Sequence, residues 1–463
     1  MQPGTEQNVL RVAIIGSGPS AFYAAAAYFK TTDLRVSIDV FDRLPTPFGL
    51  VRGGVAPDHQ KIKSVTRVFE KIAAHPNFRF YGNVEFGRDL KYDDMLQFYH
   101  QIFFAVGAGA DRSLNIPGEE LSGSHSATEF VAWYNGHPYY RGRKFDLSCE
   151  RAVVVGMGNV AIDIARILAK NRDELAGTDI AEYALEQLAE SKITEIVLLA
   201  RRGPAQAAFT NPEIKELGEL ADAGISVPAN EVELDSLSAE RLRSHPDPGV
   251  ASNLETLKSY VGRSFVGKSK RILIRFLRSP VEILGDTRVK GVRLVKNKLE
   301  KSSDDSLRPI PTDVFETLDT GIVFRSVGYR GVELPGIPFD KSRGIMPNIQ
   351  GRVVDPATNR AVDGLYCTGW IKRGPSGVIG TNKPDAQETV SSALEDLRQE
   401  KMNRPSLPDR EAVTNLLMER GIRFVTFDDW RKIDTLESER GKPYGRPRIK
   451  FTSISEMLEA AGK

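Results

Sequence analysis

Val12-Ala13-Ile14-Ile15-Gly16-Ser17-Gly18-Pro19-Ser20-Ala21 is the stretch that decides the fold. Four consecutive apolar residues read as a short strand buried on both faces, as in a parallel sheet. A glycine turn follows, and an alanine-rich helix begins near Ser20 and runs to about Lys30. A strand, glycine turn and helix in this order suit a dinucleotide pyrophosphate. Gly16 permits the tight turn, and Gly18 lets backbone N–H groups come close to the phosphates. The helix N-terminus adds unpaired N–H groups and the positive end of its dipole. Ala21 takes the third, packing position, where a small residue keeps helix and strand close.

No residue from Val12 to Phe29 is charged. Length alone would allow a membrane span or a signal peptide, but the central Gly-Ser-Gly-Pro-Ser break argues for a strand followed by a helix. Met1 to Leu10 is polar, contains an acid and lacks the Arg- and Ser-rich character of a mitochondrial presequence, so a cytoplasmic location is expected. A chain of 463 residues accommodates two or three domains. The net charge of +2 argues against general nucleic-acid binding while allowing a local basic face. The two cysteines, Cys149 and Cys367, form no CxxC, zinc or iron–sulfur pattern, which excludes a redox-active cysteine pair and cysteine-ligated clusters.

After the first helix, Arg35 to Asp42 reads as the second parallel strand. Asp42 ends it, roughly 20 residues beyond Gly18, where an acid hydrogen-bonds an adenosine ribose and repels a 2′-phosphate. This site therefore suits FAD or NAD rather than NADP; the plainer reading of Asp42 is a solvated strand-end acid. Leu44 to His59 (LPTPFGLVRGGVAPDH) is a stiff, irregular loop rich in Pro and Gly. Next come a basic amphipathic helix over about Lys61–Ala74, a strand Phe78–Val84 and a buried strand Ile102–Ala108 that ends in small residues.

The loop string resembles the one after the second strand in the adrenodoxin reductase-like ferredoxin–NADP reductases, with Gln60 in place of the usual proline and Asp42 in place of the usual Glu. That family has two dinucleotide-binding domains, for FAD and NADP. The resemblance implies that Leu50 packs on the flavin, that His59 sits near its ring, and that Val84 lies at the adenine. It places Gly16, Gly18, Ser20, Ala21 and Asp42 in the FAD site. By itself, the plainer reading of His59 is a loop histidine bonded to backbone.

Ala152-Val153-Val154-Val155-Gly156-Met157-Gly158-Asn159-Val160-Ala161 repeats the opening device. Val160, Ile164, Ile167 and Leu168 give its helix an apolar face. The next strand, Glu195–Ala200, ends in Arg201-Arg202-Gly203-Pro204, two guanidinium groups where the first site has an acid. They suit a 2′-phosphate through bidentate charge-assisted bonds, so the second nucleotide is expected to be NADP(H). The separation from Gly156 far exceeds the usual ~20 residues, and an inserted helical segment around 179–191 would explain it. The resemblance implies NADP contacts at Arg112, Met157, Gly158, Asn159, Val160, Arg201, Arg202, Glu213 and Gly377. Glu213 matches a family glutamate that approaches the nicotinamide end; its plain reading is a first-turn helix acid after Pro212.

Between Lys258 and Arg278 there are seven bases and no acid. Arg271 and Arg275 fall on one face of an apparent strand. Such a run is either a solvated face or a docking surface, near Lys258, Arg263, Arg271 and Arg275, for an acidic electron carrier. Further on, Leu365–Asn382 (LYCTGWIKRGPSGVIGTN) contains Gly369-Trp370, which matches the same family. There Gly369 and Trp370 would lie at the FAD, with Gly377, Val378 and Ile379 at its ring. A helix from about Pro384 to Arg398 would aim its N-terminus at that ring. The tail from Asn403 also resembles the family.

Two Rossmann-like α/β domains are expected: an FAD domain from 1–111 and 331–463, the latter with a C-terminal extension, and an NADP domain inserted at 112–330. The resemblance implies a monomeric reductase. NADPH gives a hydride to FAD, and single electrons pass to an iron–sulfur ferredoxin, feeding for instance a cytochrome P450 or a biosynthetic enzyme. The alternatives are an NADPH-dependent flavin oxygenase and a non-catalytic flavin redox sensor.

Overall fold

The structure, a computed structural model, describes residues 3–463 and is mixed α/β. The chain forms two compact units: 1–110 with 135–141 and 328–463, and 111–134 with 142–327. Sequence reasoning assigns all of 112–330 to the second unit. Residues 135–141 instead belong to the first, where Lys450 Nζ donates to the Asn135 carbonyl at 3.1 Å. Residues 328–330 also join the first unit.

The first unit is built on a seven-stranded sheet. Its strands run Asn348–Ile349, Arg352–Asp355, Arg360–Cys367, Gln101–Phe104, Leu10–Ile15, Val36–Asp42, Phe78–Gly82 across the sheet. The last five are mutually parallel; the first two pair antiparallel at the edge. Both faces are covered, which is why the opening strand is apolar without alternation. Leu10, Val12 and Ile14 pack in one core with Trp430 and Met457, while Ala13 and Ile15 pack in another with Phe104 and Leu365.

The uncharged run divides at its glycines into the strand Leu10–Ile15 and the helix Pro19–Phe29. No helix among the described residues is long and apolar enough to cross a membrane. The helix expected over 61–74 is interrupted. Gln60–Lys63 and Thr66–Ala73 are separate, and Ser64 Oγ turns back to the Lys61 carbonyl at 2.7 Å.

The second unit has a six-stranded, wholly parallel sheet in the order Ser124–Ser126, Ile322–Arg325, Arg151–Val155, Glu195–Leu199, Lys270–Arg275, Ala223–Ser226. A three-stranded antiparallel sheet, Arg278–Gly285, Val289–Lys301 and Leu307–Asp319, belongs to the same unit. The long gap between the second glycine turn and Arg201 holds two helices, Arg172–Ala176 and Glu182–Ala189.

Candidate active site

In the first unit, Gly16 has φ +97°, and a Cβ there would lie 2.5 Å from the Ala105 carbonyl oxygen. Gly18 differs in kind: a Cβ would meet no protein atom within 4 Å. The backbone of Gly18 therefore faces open space at the start of the helix Pro19–Phe29, which has no side-chain cap and no acid in its first turn. Its leading N–H groups are left for an anion. Ser20 and Ala21 are buried behind them.

Asp42 locks this turn from the neighbouring strand. One carboxylate oxygen accepts from Ser17 N–H at 2.9 Å and Ser17 Oγ at 2.6 Å; the other accepts from Leu44 N–H at 2.9 Å. Burial pushes the Asp42 carboxyl up, and the Ser17 and Leu44 bonds pull it back. Val84 is buried, and its N–H is taken by the Asp42 carbonyl.

The Pro/Gly loop folds over the same turn. Phe48, at φ +82°, donates its N–H to the Ser17 carbonyl at 2.9 Å, and a Cβ on Gly49 would stand 2.9 Å from Gly18 Cα. Leu50 starts the short helix Leu50–Gly53 and is 51% exposed. His59 is buried immediately before Gln60–Lys63.

The return of the chain closes on the opening turn. A Cβ at Gly369 would lie 2.5 Å from Ser20 Oγ, and Gly369 N–H donates to Asp385 at 2.6 Å. Trp370 stacks on Tyr329 at 5.6 Å between ring centroids. Gly377 has φ +79° and packs on Thr381, and Val378 is 55% exposed. Ile379 begins a single turn that leads into the helix Asn382–Arg398, two residues earlier than the sequence pattern indicates.

Sequence reasoning found no role for the tail. Its helix Phe427–Gly441 buttresses the Pro/Gly loop: Glu437, fully buried, accepts from both terminal nitrogens of Arg52, at 2.5 and 2.8 Å, and Arg52 lies over the Trp430 ring. Also missed is a buried charge network beneath the sheet, in which Asp39 binds Arg11, Arg79 and Tyr99.

The second unit repeats the geometry of the first. Gly156 has φ +136°, with a Cβ 2.1 Å from the Ser326 carbonyl oxygen, whereas a Cβ at Gly158 would meet nothing within 4 Å. The helix Asn159–Ala169 again lacks a side-chain cap and a first-turn acid. Ile164, Ile167 and Leu168 are buried, while Val160 is half-buried at the helix start. Ala208 N–H bonds the Met157 carbonyl at 2.9 Å, and Asn159 Oδ1 accepts from Thr210 N–H at 2.8 Å. The segment after Arg201-Arg202 is thereby laid against the glycine turn.

Arg201 and Arg202 follow the strand Glu195–Leu199, whose Leu199 carbonyl accepts the Gly156 N–H at 2.9 Å. Adjacent parallel strands in the middle of the sheet thus bring turn and arginines together at their C-terminal ends despite their distance in sequence. Neither guanidinium has an acidic partner among the described residues. Burial, then the charge of Arg201, holds Arg202 below the ordinary arginine value. A bound anion would relieve both effects. Arg112 is exposed.

Glu213 sits in the first turn of Asn211–Leu217, as its plain reading expects, and also faces a partner that sequence reasoning missed. The fully buried Arg166 bonds Asp163 at 2.7 Å and Glu213 at 3.4 Å. Asp163 and Arg166, one helical turn apart, were the available signal.

The basic run is largely consumed within its own unit. Arg271 and Arg275 lie on the strand Lys270–Arg275, but Arg271 pairs with Glu195 at 2.7 Å. Arg275 and Arg278 share Glu231 and Glu316 at 2.6–3.1 Å. Arg275 therefore belongs to a partly buried ion-pair cluster, not to a free basic face. Lys258 and Arg263 are exposed.

Two sheets with parallel cores, each with a glycine turn at an uncapped helix, are consistent with a protein of two dinucleotide-binding units. No protein-family model matches the chain. It is 45% identical to the NADPH-ferredoxin reductase FprA of Mycobacterium tuberculosis over 455 residues, which covers 96% of this chain and 98% of that one. It is 40% identical to the mitochondrial NADPH:adrenodoxin oxidoreductase of Salvelinus fontinalis over 97% of this chain and 91% of that one. The structure of M. tuberculosis FprA in complex with NADPH superposes with a TM-score of 0.92 at 43% identity, covering 98% of this chain and 100% of that one. The chain belongs to the adrenodoxin reductase and FprA-type family of NADPH–ferredoxin reductases.

Proposed function

We propose that this chain is an FAD-dependent reductase that takes a hydride from NADPH and delivers electrons to an acidic iron–sulfur ferredoxin. The carrying observation is the contrast between two similar glycine turns. One is locked by the acid Asp42; the other lies beside two guanidinium groups that have no acidic partner among the described residues. The first unit is the FAD domain and the second the NADP domain, interrupting it.

The residues of the first unit fit FAD. Gly18 offers an open backbone at an uncapped helix, and Leu50 and Val378 are exposed apolar side chains of the kind a flavin ring would cover. Gly16, Ser20, Ala21, Asp42, Val84, Gly369, Trp370, Gly377 and Ile379 complete the set that would hold it, with His59 near the ring. The chemistry FAD supplies when bound is the exchange of one hydride for two single electrons. The protein provides anchoring, orientation and electrostatics.

Arg201 and Arg202 select NADPH by its 2′-phosphate, and Gly158, Met157, Asn159 and Val160 receive its pyrophosphate. Glu213, held by Arg166, orients the carboxamide, with Arg112 and Gly377 as further contacts. Ferredoxin docks on a basic face carrying Lys258 and Arg263, with Arg271 at its margin.

Purified protein should show a yellow flavin spectrum that bleaches with NADPH, and it should reduce a small iron–sulfur ferredoxin catalytically. Bleaching without transfer to any ferredoxin would overturn the reductase reading in favour of an oxygenase or a sensor.

A further inference from the structure

A cavity of about 360 Å³ opens beside Arg202, within the second unit. Its size falls in the range of small-molecule sites, roughly 300–1,000 Å³. Arg202, Arg241 and His245 line it, against a single carboxylate, Asp247. One oxygen of that carboxylate, Oδ1, caps the helix Pro248–Lys258 by accepting from the Gly249 and Val250 N–H groups at 2.8 and 3.1 Å.

Among the described residues Arg241 hydrogen-bonds the Asp305 carbonyl, at 2.7 Å, and feels the Asp305 carboxylate only through space. The Asp305 carboxylate is taken by Lys301 at 2.5 Å. Gln206 also lines the cavity. Its Nε2 donates to Ser238 Oγ at 3.0 Å, while its Oε1 is a buried acceptor without a partner. A buried acceptor left unpaired is costly, so it marks a place where a donor belongs.

The cavity is tied to the nucleotide turn through the backbone. Gln206 lies two residues before Ala208, which bridges Gly158 and bonds Met157. Three basic side chains against one lining carboxylate, plus one unpaired acceptor, complement a phosphate borne on a group with hydroxyl or amino donors. Phosphorylated adenosine has that chemistry.

We infer that this cavity is a specificity subsite for the adenosine 2′-phosphate end of NADPH, in which Arg241 is a third guanidinium for the phosphate and Gln206 accepts from the nucleoside. The inference rests on the reading of Arg201 and Arg202 as the 2′-phosphate arginines. Arg241 acts on binding and discrimination, and has no part in hydride transfer.

Calorimetric titration of the intact protein with 2′-AMP, 5′-AMP and inorganic phosphate tests it. Arg241→Gln should weaken 2′-AMP about tenfold, the loss of one charge-assisted bond, and leave 5′-AMP unchanged. Val250→Glu adds a carboxylate to the cavity wall in a first helical turn, where an acid is tolerated, and should produce the same selective loss without touching Arg241. Gln206→Leu should weaken both nucleotides. If Arg202→Gln weakens 2′-AMP while Arg241→Gln and Val250→Glu do not, the subsite is overturned and the NADPH reading stands. If Arg202→Gln also has no effect, the NADPH reading itself fails. Equal weakening of inorganic phosphate and 2′-AMP by Arg241→Gln would reduce the cavity to a general anion site and overturn the assignment to adenosine.

Discussion

Glu437 and Arg52 stand 385 residues apart in sequence, yet they meet as a two-pronged ion pair with Glu437 fully buried. The pair fastens the C-terminal helix to the loop that covers the first glycine turn. Glu437→Gln should destabilise the protein by ~3–5 kcal/mol, because it leaves Arg52 with no charged partner in a buried setting. The double variant Arg52→Met/Glu437→Leu should recover part of that loss. Urea unfolding of the three proteins measures it, and equal midpoints for wild type and Glu437→Gln would refute it.

The two glycines of each turn should separate stability from binding. Gly156→Ala forces a Cβ against the Ser326 carbonyl at a φ that side chains rarely adopt, so it should cost at least ~1–3 kcal/mol of stability. Gly158→Ala meets no protein atom and should leave the unfolding midpoint unchanged, while weakening NADPH roughly tenfold. Denaturation curves and fluorescence titration read the two effects independently.

Replacing Arg201 and Arg202 together by Ala should weaken NADPH strongly and NADH little, at roughly 1.5–3 kcal/mol for each charge-assisted bond. Steady-state kinetics with both donors measures the ratio. An unchanged preference for NADPH would sink the assignment.

His100 should make stability depend on pH. Its Nδ1 accepts the Arg11 N–H at 3.0 Å, and burial, then the Arg11 charge, lowers its pKa to about 4. The unfolded chain, with an ordinary value near 6.5, binds the proton first as pH falls. Stability contributed by the neutral ring is therefore complete above pH 6.5 and declines as pH drops toward 4, by roughly 2–3 kcal/mol. His100→Gln should flatten the slope of the urea midpoint over that interval.

Charge reversal should divide the basic run into two classes. Lys258→Glu and Arg263→Glu should slow ferredoxin reduction, most at low salt, with little change in stability. Arg275→Glu should lower the unfolding midpoint instead, because it sets a third acid beside Glu231 and Glu316. Ferredoxin reduction that is salt-independent in the wild type and unaffected by Lys258→Glu and Arg263→Glu would remove the docking face.

Residues 12–21 and 152–161 were legible because strand, turn and helix are decided by neighbours a few positions apart. Apolar runs call for covered strands, and a positive φ calls for glycine. The change from Asp42 to Arg201-Arg202 was legible for the same reason, since each residue ends its own strand. The basic run was not. Its charge is visible in sequence, but Glu195, Glu231 and Glu316, which pair with Arg271 and Arg275, come from a neighbouring strand, a short helix and the three-stranded sheet.

The sequence by itself therefore determined the two glycine turns with their helices, the acid that ends one following strand and the arginine pair that follows the other. Tertiary structure alone decided which charges remain free. It put Arg166 against Glu213, Arg52 against Glu437 and Asp39 against Arg11, and among the described residues it left Arg202 and Arg241, around one cavity, without an ion pair. Backbone conformation follows from local sterics, whereas the partner of a charged side chain is settled only when distant segments close on one another.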